Sequence, residues 1–362
     1  MTSLRLALCG DVMTGRGIDQ VGPSPCDSTL HEPWVRDARD YVALAERQSG
    51  PIPRAPSLDW VWGDALAELE RSAPAARIVN LETSVTRSDD WDRGKAIHYR
   101  MHPAHVSLLR AARVDVCALA NNHVLDWGAV GLLETLETLD VAGLAHVGAG
   151  RDAEEAARPA VVTAGERRVL VFACGLESSG IPARWAAAPA RPGVLRIEDL
   201  DPGPLGELLR PWKRPGDVVV LSIHWGGNWG YPVPEAHRRF AEAAVELGVD
   251  VVHGHSSHHP LGIEVQRGRL VLYGCGDFVN DYEGIPGHEE LHPELRLLYL
   301  PDLGPDGALR GLRIVPFRAE RFGLRRADEE ELAWCERRLR REGRPLGSDV
   351  ARAADGGLEL RW

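Results

Sequence analysis

The sequence predicts an α/β protein built on mixed β-sheets, and three observations support that fold class. Short apolar runs alternate with amphipathic helical patterns through most of the 362 residues, which is typical of sheets whose strands are connected by helices. Two hairpin-like pairs interrupt this alternation and predict antiparallel strands as well. The composition, 44% hydrophobic and 26% charged, is that of a globular protein with a substantial core.

Strands are predicted where short apolar runs lie between turn-forming residues. These runs are residues 4–9, 77–80, 114–118, 160–163, 169–173, 218–223 and 249–252. One hairpin spans residues 161–171 and turns at Gly165-Glu166, and the other spans residues 263–272 and turns at Arg267-Gly268. The hairpins predict a mixed sheet or a second packed sheet.

Helices are predicted from amphipathic patterns at residues 59–71, 103–112, 129–142, 152–157 and 234–247. Residues 18–57 contain scattered Pro and Gly without sustained periodicity, so they are expected to cover a site or to be disordered. A charged helix is predicted over 328–341, followed by a Gly-rich tail without assignment. We therefore expect one domain over residues 1–325, with 18–57 as a long insertion and candidate lid, and a helix and tail over 326–362.

Bulk properties exclude several classes of protein. The net charge of −11 argues against a nucleic-acid partner, because binding phosphates requires a basic surface. No apolar stretch approaches the ~20 residues of a membrane span, and the N-terminal residues lack a signal-peptide pattern. Cys9, Cys117, Cys174 and Cys275 lie in apolar runs, where a free thiol behaves as a small buried hydrophobe. We expect a cytoplasmic protein with reduced cysteines, no membrane contact and an oligomeric state left open.

Residues of the types that bind metals follow the predicted strands. Carboxylates, amides and imidazoles are ligands of divalent ions, and strand carboxyl ends meet at one crevice of a sheet. The segments are Gly10-Asp11, Asn80-Leu81-Glu82, Asn121-Asn122-His123, His224-Trp225-Gly226, His253-Gly254-His255 and His258-His259. They predict a centre for one or two divalent ions, and hence a metal-dependent enzyme.

The acidic and amide segments each allow two interpretations. Asp11 is either a ligand or a cap for the next element. Glu82 is our choice for a carboxylate shared by two metals, although a lone Glu is usually a surface acid. The amide oxygens of Asn121-Asn122 suit a metal, and the adjacent His123, held by Asp126, suits proton transfer. The alternative is an Asx turn with a surface histidine.

The histidine segments are interpreted in the same way. His224 is a ligand or a core histidine, and the nearby Trp225 and Trp229 line a substrate pocket or pack in the core. Four imidazoles at 253, 255, 258 and 259 would repel one another if protonated, which favours neutral, metal-bound forms. Spacing alone does not separate their roles. Asp277 and Asp281 are either acceptors that orient these imidazoles or ordinary loop residues.

Taken in order, these segments resemble the CapA family, which is linked to poly-γ-glutamate capsule synthesis and is similar to the calcineurin-like metallophosphoesterases. The resemblance covers about residues 4–282. The residues that carry it are Gly10-Asp11-Val12-Met13 with Gly15-Arg16, Asn80-Leu81-Glu82, Asn121-Asn122-His123 with Asp126 and Gly128, His224-Trp225-Gly226, and Gly254-His255 with His258. The resemblance implies a four-layer αββα, metallophosphoesterase-like sandwich of two mixed sheets flanked by helices, with the metal centre at the strand carboxyl ends.

The resemblance also implies roles and shows departures. It implies that His123 is the proton donor and that six residues bind metal, namely Asp11, Glu82, Asn122, His224, His255 and His258. Met13 stands where a metallophosphoesterase carries a histidine, so one of the two metal sites is expected to be weak or absent. The last motif is rewritten as His255-Ser256-Ser257-His258. Capsule-synthesis members are typically anchored outside the membrane, whereas no anchor is predicted here.

The leading functional hypothesis is hydrolysis at one or two divalent ions (Mn, Fe or Zn). The bond is a phosphoester or a γ-glutamyl-type amide of a small anionic substrate, and fold analogy does not decide between them. His123, oriented by Asp126, protonates the leaving group. Arg16 grips a substrate carboxylate or phosphate, or forms a surface ion pair. The predicted substrate-binding residues are Trp225, Trp229, His253 and His259.

Two other functional classes remain open. One is a non-hydrolytic, metal-containing accessory or binding protein for poly-γ-glutamate or a small acid, which the methionine at position 13 favours. The other is an iron-dependent redox enzyme on the same scaffold, because imidazole and carboxylate also suit iron.

Overall fold

The computed structural model describes residues 3–57 and 59–362. Its strands are β1 (Leu4–Val12), β2 (Ala76–Leu81), β3 (Ser84–Val85), β4 (Arg100–Met101), β5 (Val116–Ala118), β6 (Ala145–Val147), β7 (Ala149–Gly150), β8 (Ala160–Ala164), β9 (Arg167–Gly175), β10 (Gly193–Val194), β11 (Val218–His224), β12 (Val251–His255), β13 (Ile263–Gln266), β14 (Arg269–Leu272), β15 (Asp277–Val279), β16 (Leu295–Leu303), β17 (Leu309–Glu320), β18 (Gly323–Arg326), β19 (Asp349–Arg352) and β20 (Leu358–Arg361). Its α-helices are α1 (Gly17–Val21), α2 (Arg39–Ser49), α3 (Ala65–Ser72), α4 (Ser107–Ala111), α5 (Gly128–Ala142), α6 (Ala153–Ala157), α7 (Gly203–Leu209), α8 (Glu235–Glu246) and α9 (Glu329–Gly343). None of the helices in the described residues is long and apolar enough to cross a membrane.

Two large mixed sheets form the centre of the molecule. The first sheet has the strand order β19-β20-β17-β16-β1-β2-β5-β6, with β15 also pairing with β1 and β18 with β17. The second has the order β13-β14-β12-β11-β9-β8. Parallel strands form one half of the first sheet, β1-β2-β5-β6, and the centre of the second, β14-β12-β11-β9. The predicted hairpins form the antiparallel pairs β8–β9 and β13–β14. All seven predicted strands are present. β1 runs on past residue 9 to Val12, so that Asp11 lies inside the strand.

The layers follow from which face each strand buries. In β1, Leu6 and Leu8 point into the core between the two sheets, whereas Ala7 and Cys9 point into the core beneath the helices, as period-two alternation requires. Helices α3, α4 and α5 pack on the outer face of the first sheet. Helices α7 and α8 pack on the outer face of the second. The four-layer helix–sheet–sheet–helix arrangement is therefore confirmed.

Residues 18–57 differ from the expected loop. They contain most of α1 and all of α2, and they bury Ile18, Val42 and Ile52 in the core on the outer face of the first sheet. The helix α2 buries only Tyr41, Val42 and Ala45, a stripe too short to give a clear helical period in the sequence. The segment is thus part of the packed molecule, and the alternative of disorder is wrong.

The region after residue 282 also contains more structure than the sequence predicted. Strands β16 and β17 join the first sheet beside β1, and the unassigned tail forms β19 and β20 in the same sheet. The predicted charged helix is α9, which starts at a capping box formed by Asp328 and Glu331. Its Leu332 and Leu339 are buried in the core between the sheets. Residues 326–362 therefore complete the first sheet and close one side of this core.

Candidate metal centre

Predicted ligands from both sheets meet at the carboxyl ends of the parallel strands. The Asn80 side-chain nitrogen donates to Asp11 Oδ1 at 2.7 Å and to Glu82 Oε2 at 3.1 Å. It also lies 3.5 Å from Nδ1 of His224, which ends β11 in the second sheet. Gly10 makes this crowding feasible, because a Cβ there would lie 1.6 Å from the Gly276 carbonyl oxygen. The backbone of β15 thereby pairs directly with β1.

Two groups of three potential metal donors meet at this point, and both contain Asp11. In each group the donor atoms lie within 4.8 Å of one another, and all the side chains are buried. The groups are Asp11, His224 and His255, and Asp11, His258 and Asp277. The sequence analysis chose Glu82 as the carboxylate shared by two metals, whereas the geometry gives that position to Asp11. Glu82 lies beside the first group, with Oε1 3.7 Å from His224 Nε2.

The imidazoles of His224 and His255 face each other with their Nδ1 atoms 2.7 Å apart. Burial, together with the charges of neighbouring imidazoles, lowers the pKa of each ring well below 6.5. Both rings are therefore neutral at pH 7, and each carries a single N–H. On its other side, His224 places Nε2 3.0 Å from Asn122 Oδ1, while His255 places Nε2 2.8 Å from Ser222 Oγ.

These contacts belong to a chain of hydrogen-bonding groups in which the contacts outnumber the hydrogens available to fill them. The chain starts and ends at pure acceptors, and its members in order are the Cys9 carbonyl oxygen, His253, Ser222, His255, His224 and Asn122 Oδ1. Three neutral imidazoles and one hydroxyl supply four hydrogens for five contacts. With the Asn122 amide placing Oδ1 toward His224, one contact therefore joins two lone pairs.

A cation would satisfy this shortage. Asp11 Oδ2 is also buried without a hydrogen-bond partner, and burial, followed by the charge of Asp277, raises the pKa of Asp11. Burial likewise raises the pKa of Glu82. A buried polar atom without a partner is costly, and imidazole, carboxylate and amide oxygen are donors for divalent ions. The residues at this site thus fit a divalent metal.

His123 lies at the edge of the same site and contacts Asp126 as the sequence predicted. Its Nδ1 donates to Asp126 Oδ2 at 2.6 Å, and the backbone N–H of Tyr99 holds the same oxygen at 2.7 Å. Burial lowers the pKa of His123 to about 4. The charge of Asp126 opposes this shift, and the nearby Lys95 ammonium adds to it. The neutral ring carries its hydrogen on Nδ1, so Nε2 is an acceptor, 3.8 Å from Glu82 Oε1.

His258 is held by a carboxylate. Its Nδ1 lies 2.8 Å from Asp277 Oδ1, and the other oxygen of Asp277 accepts from Asn280 at 2.6 Å and lies 3.4 Å from Arg296. Burial lowers the pKa of His258, but the charge and hydrogen bond of Asp277, together with the charge of Asp11, outweigh burial and raise the pKa. Asp277 therefore makes the orienting contact expected of it, in addition to lying in the second donor group.

The structure overturns the predicted role of Arg16. Its guanidinium is buried, and its bidentate partner is Asp281, with contacts of 3.1 and 2.6 Å. Glu32 takes a further N–H, and the ring of Tyr99 lies 4.4 Å from the guanidinium carbon. The charge of Arg16 is thus used inside the protein, neither on a substrate nor on the surface. Asp281 is correspondingly not an acceptor for the histidines.

Three of the four predicted substrate-binding side chains point elsewhere. Trp225 faces away from His224, as adjacent strand residues do, and its ring stacks 4.4 Å from His237 in the core under α8. His253 lies in the buried hydrogen-bonded chain, and His259 accepts the Gly230 backbone N–H at 3.1 Å. Trp229 is half-buried, and its ring lies 5.2 Å from His258. Only Trp229 of the four borders the site from the solvent side.

Two residues at the site were missed by the sequence analysis. Lys95 contacts Asp126 and the Asn122 carbonyl oxygen with its ammonium group. The available signal was that the chain, rich in arginine, keeps lysine only here and at Lys213. Ser222 was the polar exception in the apolar run of residues 218–223.

Comparisons with known proteins identify the family of this chain. The sequence model of the family described as bacterial capsule synthesis protein PGA_cap matches residues 5–282. A Mycobacterium tuberculosis protein named "probable polyglutamine synthesis accessory protein" is 46% identical over 359 residues, which cover 98% of this chain and 94% of that protein. The "capsule biosynthesis protein CapA" of Bacillus anthracis is 29% identical over 282 residues, covering 77% of this chain and 60% of that protein.

Two further matches cover little more than half of the matched protein. The "PGA biosynthesis protein CapA" of Bacillus subtilis is 30% identical over 204 residues, covering 56% of this chain and 52% of that protein. Among solved structures, a 5'-nucleotidase precursor from Thermus thermophilus aligns with a TM-score of 0.47 and 14% identity, covering 87% of this chain and 54% of that one.

Proposed function

The chain belongs to the bacterial capsule synthesis protein family PGA_cap, and from this membership and the site geometry we propose that it is a metal-dependent hydrolase. The proposed substrate is a small anionic molecule that carries a γ-glutamyl-type amide or a phosphoester. The names of the relatives, which refer to PGA biosynthesis and polyglutamine synthesis, favour the amide. We also propose a cytoplasmic location, as predicted from the buried cysteines.

One observation carries the proposal: five contacts share four hydrogens in the chain that ends at His224 and Asn122. A protein has little reason to bury such a shortage beside an unpartnered carboxylate oxygen unless a cation fills it. We propose that Asp11, His224 and His255 hold the principal ion, with Asn122 and Glu82 beside them. His258 and Asp277 offer Asp11 a second, weaker group.

The chemistry divides between the ion and the protein. A bound Mn, Fe or Zn ion supplies Lewis acidity, which acidifies water and polarises a substrate oxygen. His123 moves a proton at Nε2, the ring nitrogen that Asp126 leaves free. This assignment revises the expected order, because the neutral ring must first accept a proton before it can give one to a leaving group. The Lys95 ammonium lies next to both side chains and favours a substrate anion at this edge.

The test separates metal binding from proton transfer. Purified protein is analysed for metal by mass spectrometry and assayed on p-nitrophenyl phosphate and γ-glutamyl p-nitroanilide. His255→Ala should remove metal and turnover together, whereas His123→Ala should keep the metal and lose roughly 10²- to 10⁴-fold in rate. His292→Ala is the matched control, since His292 is a partly exposed imidazole paired with Glu294.

The results decide the proposal as follows. Wild-type turnover in both His255→Ala and His123→Ala would show that the centre is wrongly assigned. Turnover of one substrate only would choose between the amide and the phosphoester.

A second candidate function is a non-hydrolytic accessory protein that binds an anionic polymer or small acid. Met13 favours it, because this buried side chain offers no oxygen or nitrogen ligand where a second metal would need one. The word "accessory" in the name of the mycobacterial relative agrees with it. Bound metal without turnover on either substrate would support this candidate over the hydrolase.

A further inference from the structure

Behind His255, buried hydrogen bonds connect its ring to the backbone of β1. His253 Nε2 lies 2.7 Å from the Cys9 carbonyl oxygen, and its Nδ1 lies 3.1 Å from Ser222 Oγ. The same hydroxyl lies 2.8 Å from His255 Nε2. Apart from Cys9, which contributes its backbone, these are buried polar side chains, with at most 1% of each exposed.

The direction of each hydrogen bond follows from one fixed end. A carbonyl oxygen only accepts, so the single hydrogen of His253 is on Nε2 and its Nδ1 is an acceptor. Ser222 must then donate its only hydrogen to His253. Its oxygen can therefore only accept from His255, which places the hydrogen of His255 on Nε2.

The consequence appears at the other ring nitrogen of His255. Its Nδ1 is left with a lone pair and faces His224 Nδ1 at 2.7 Å, within the donor group that includes Asp11. The contact without a hydrogen is thereby moved away from the core and toward the metal side. Because the Cys9 carbonyl oxygen can only accept, the contact that lacks a hydrogen lies at the end of the series near His224 and Asp11.

A register shift in β1 positions the Cys9 carbonyl oxygen, which is the end of this hydrogen-bonded series. The pairing of β1 with β2 shifts register between Leu8 and Asp11, which is the sign of a β-bulge that leaves one residue unpaired and re-aims the chain. Cys9 lies in this bulge, and its carbonyl oxygen points across to the second sheet. On the second sheet, Ser222 and His253 are direct neighbours in the pairing of β11 with β12.

From these contacts we infer that Ser222 and His253 are positioning residues that fix the tautomer of His255, with its Nδ1 lone pair on the side of the donor group formed by Asp11 and His224. Neither residue belongs to either of the two donor groups. The inference deepens the proposed function and rests on its metal centre. It also explains why His253 lies close to the ligands in sequence and yet faces the core.

The first experiment needs no substitution. In metal-free protein labelled with ¹⁵N-histidine, long-range ¹H–¹⁵N NMR at neutral pH distinguishes a protonated ring nitrogen from a bare one. His255 should show hydrogen on Nε2 and a bare Nδ1, and His253 the same pattern. The His255 resonances are assigned with the His255→Ala protein. Hydrogen on Nδ1 of His255 would overturn the inference.

The second experiment measures affinity for Zn²⁺ and Mn²⁺ by competition with a chromophoric chelator. Ser222→Ala should weaken binding roughly 10- to 100-fold, as loss of an outer contact to a metal-binding histidine does, and should mix the His255 tautomers in the NMR spectrum. Ser222→Thr, which keeps the hydroxyl, should restore both. Ser348→Ala is the matched control, because that buried hydroxyl donates to the Ile263 carbonyl oxygen away from the site.

These outcomes separate the inference from the proposed function. Wild-type affinity and an unchanged tautomer in Ser222→Ala would overturn the inference and leave hydrolysis standing. Tight metal binding with the expected tautomer but no turnover would overturn hydrolysis and leave the inference standing. Should Ser222→Ala fail to fold, the wild-type spectrum still decides the tautomer.

Discussion

Two of the buried carboxylate clusters of this molecule, one around Glu68 and one formed by Asp11 and Glu82, are treated in opposite ways. Glu68 in α3 accepts from Ser72 at 2.7 Å and forms ion pairs with three arginines, namely Arg71, Arg313 and Arg326. Burial would raise its pKa, but these partners lower it to about 2. Among the described residues, no lysine or arginine forms an ion pair with Asp11 or Glu82, and the pKa of each is raised.

The contrast shows what a purely structural carboxylate looks like in this fold. Three arginines surround Glu68, so this fold can bring cationic side chains to a buried carboxylate. The lack of a lysine or arginine partner at Asp11 is therefore a feature of that site. A carboxylate pair without a lysine or arginine partner, beside neutral imidazoles, is compatible with binding a divalent cation. Glu68 serves stability, whereas Asp11 and Glu82 are positioned at the expense of stability.

The largest effect is expected from a substitution that breaks the ion pairs of Glu68, here called the satisfied cluster. Glu68→Gln leaves Arg313 and Arg326 without their shared negative partner, and breaking a buried pair in this way typically costs about 3–5 kcal/mol. Urea denaturation of metal-free protein measures the loss. Glu166→Gln, an exposed residue of the β8–β9 turn, is the control and should leave the free energy of unfolding unchanged. Equal effects of the two substitutions would contradict the contrast.

The second prediction uses pH on the same cluster. Because the folded pKa of Glu68 is about 2 and its ordinary value is 4.5, its contribution is complete above pH ~5 and is lost as the pH falls toward 2. Since one pKa unit corresponds to about 1.4 kcal/mol, the loss approaches roughly 3 kcal/mol. The wild-type protein should therefore destabilise more steeply in acid than Glu68→Gln. Parallel pH profiles of the two proteins would count against this assignment.

The third prediction concerns the cluster of Asp11, Glu82, His224 and His255, here called the unsatisfied cluster. Adding Mn²⁺ or Zn²⁺ at a hundredfold excess over Kd should stabilise metal-free protein by about 2.7 kcal/mol, because the ion binds only the folded state. Differential scanning calorimetry should show the rise in Tm and its reversal by a chelator. Glu68→Gln should keep the rise in full and His255→Ala should lose it. A rise that persists in His255→Ala would place the ion elsewhere.

The smallest expected effect has the opposite sign. Asp11→Asn removes a buried charge that has no cationic partner, so the metal-free protein should become more stable, by about 1 kcal/mol. The same variant should lose the stabilisation by metal. Guanidinium denaturation with and without the ion compares the two states. If Asp11→Asn destabilises the metal-free protein as Glu68→Gln does, the two clusters are alike and the contrast fails.

Much of this site could be predicted because its polar side chains stand at or near strand ends. Asp11, Asn80 and His224 each follow or finish a strong apolar run, and such runs place polar residues at one edge of a sheet. The convergence of the two sheets on that edge came from the family resemblance and is now visible in contacts between Asn80 and His224. Local patterning therefore identified most of the side chains that meet at this edge.

What could not be predicted depends on partners far away in the sequence. Nothing near Arg16 indicates that Asp281 will bind it, and nothing near Lys95 indicates that Asp126 will. Period-two alternation places His253 and His255 on one face of β12, but only the packing of β1 against that face decides which ring reaches the donors. The strands after residue 282 were missed for a related reason, since β16 gains its place by pairing with the N-terminal strand.

The claim that the unsatisfied cluster holds a cation is tested most directly by diffraction. Crystals soaked in Mn²⁺ and measured with anomalous scattering should show a peak within bonding distance of Asp11, His224 and His255, with His255 bound through Nδ1. An anomalous map without a peak there, or with its peak at another part of the surface, would contradict the account.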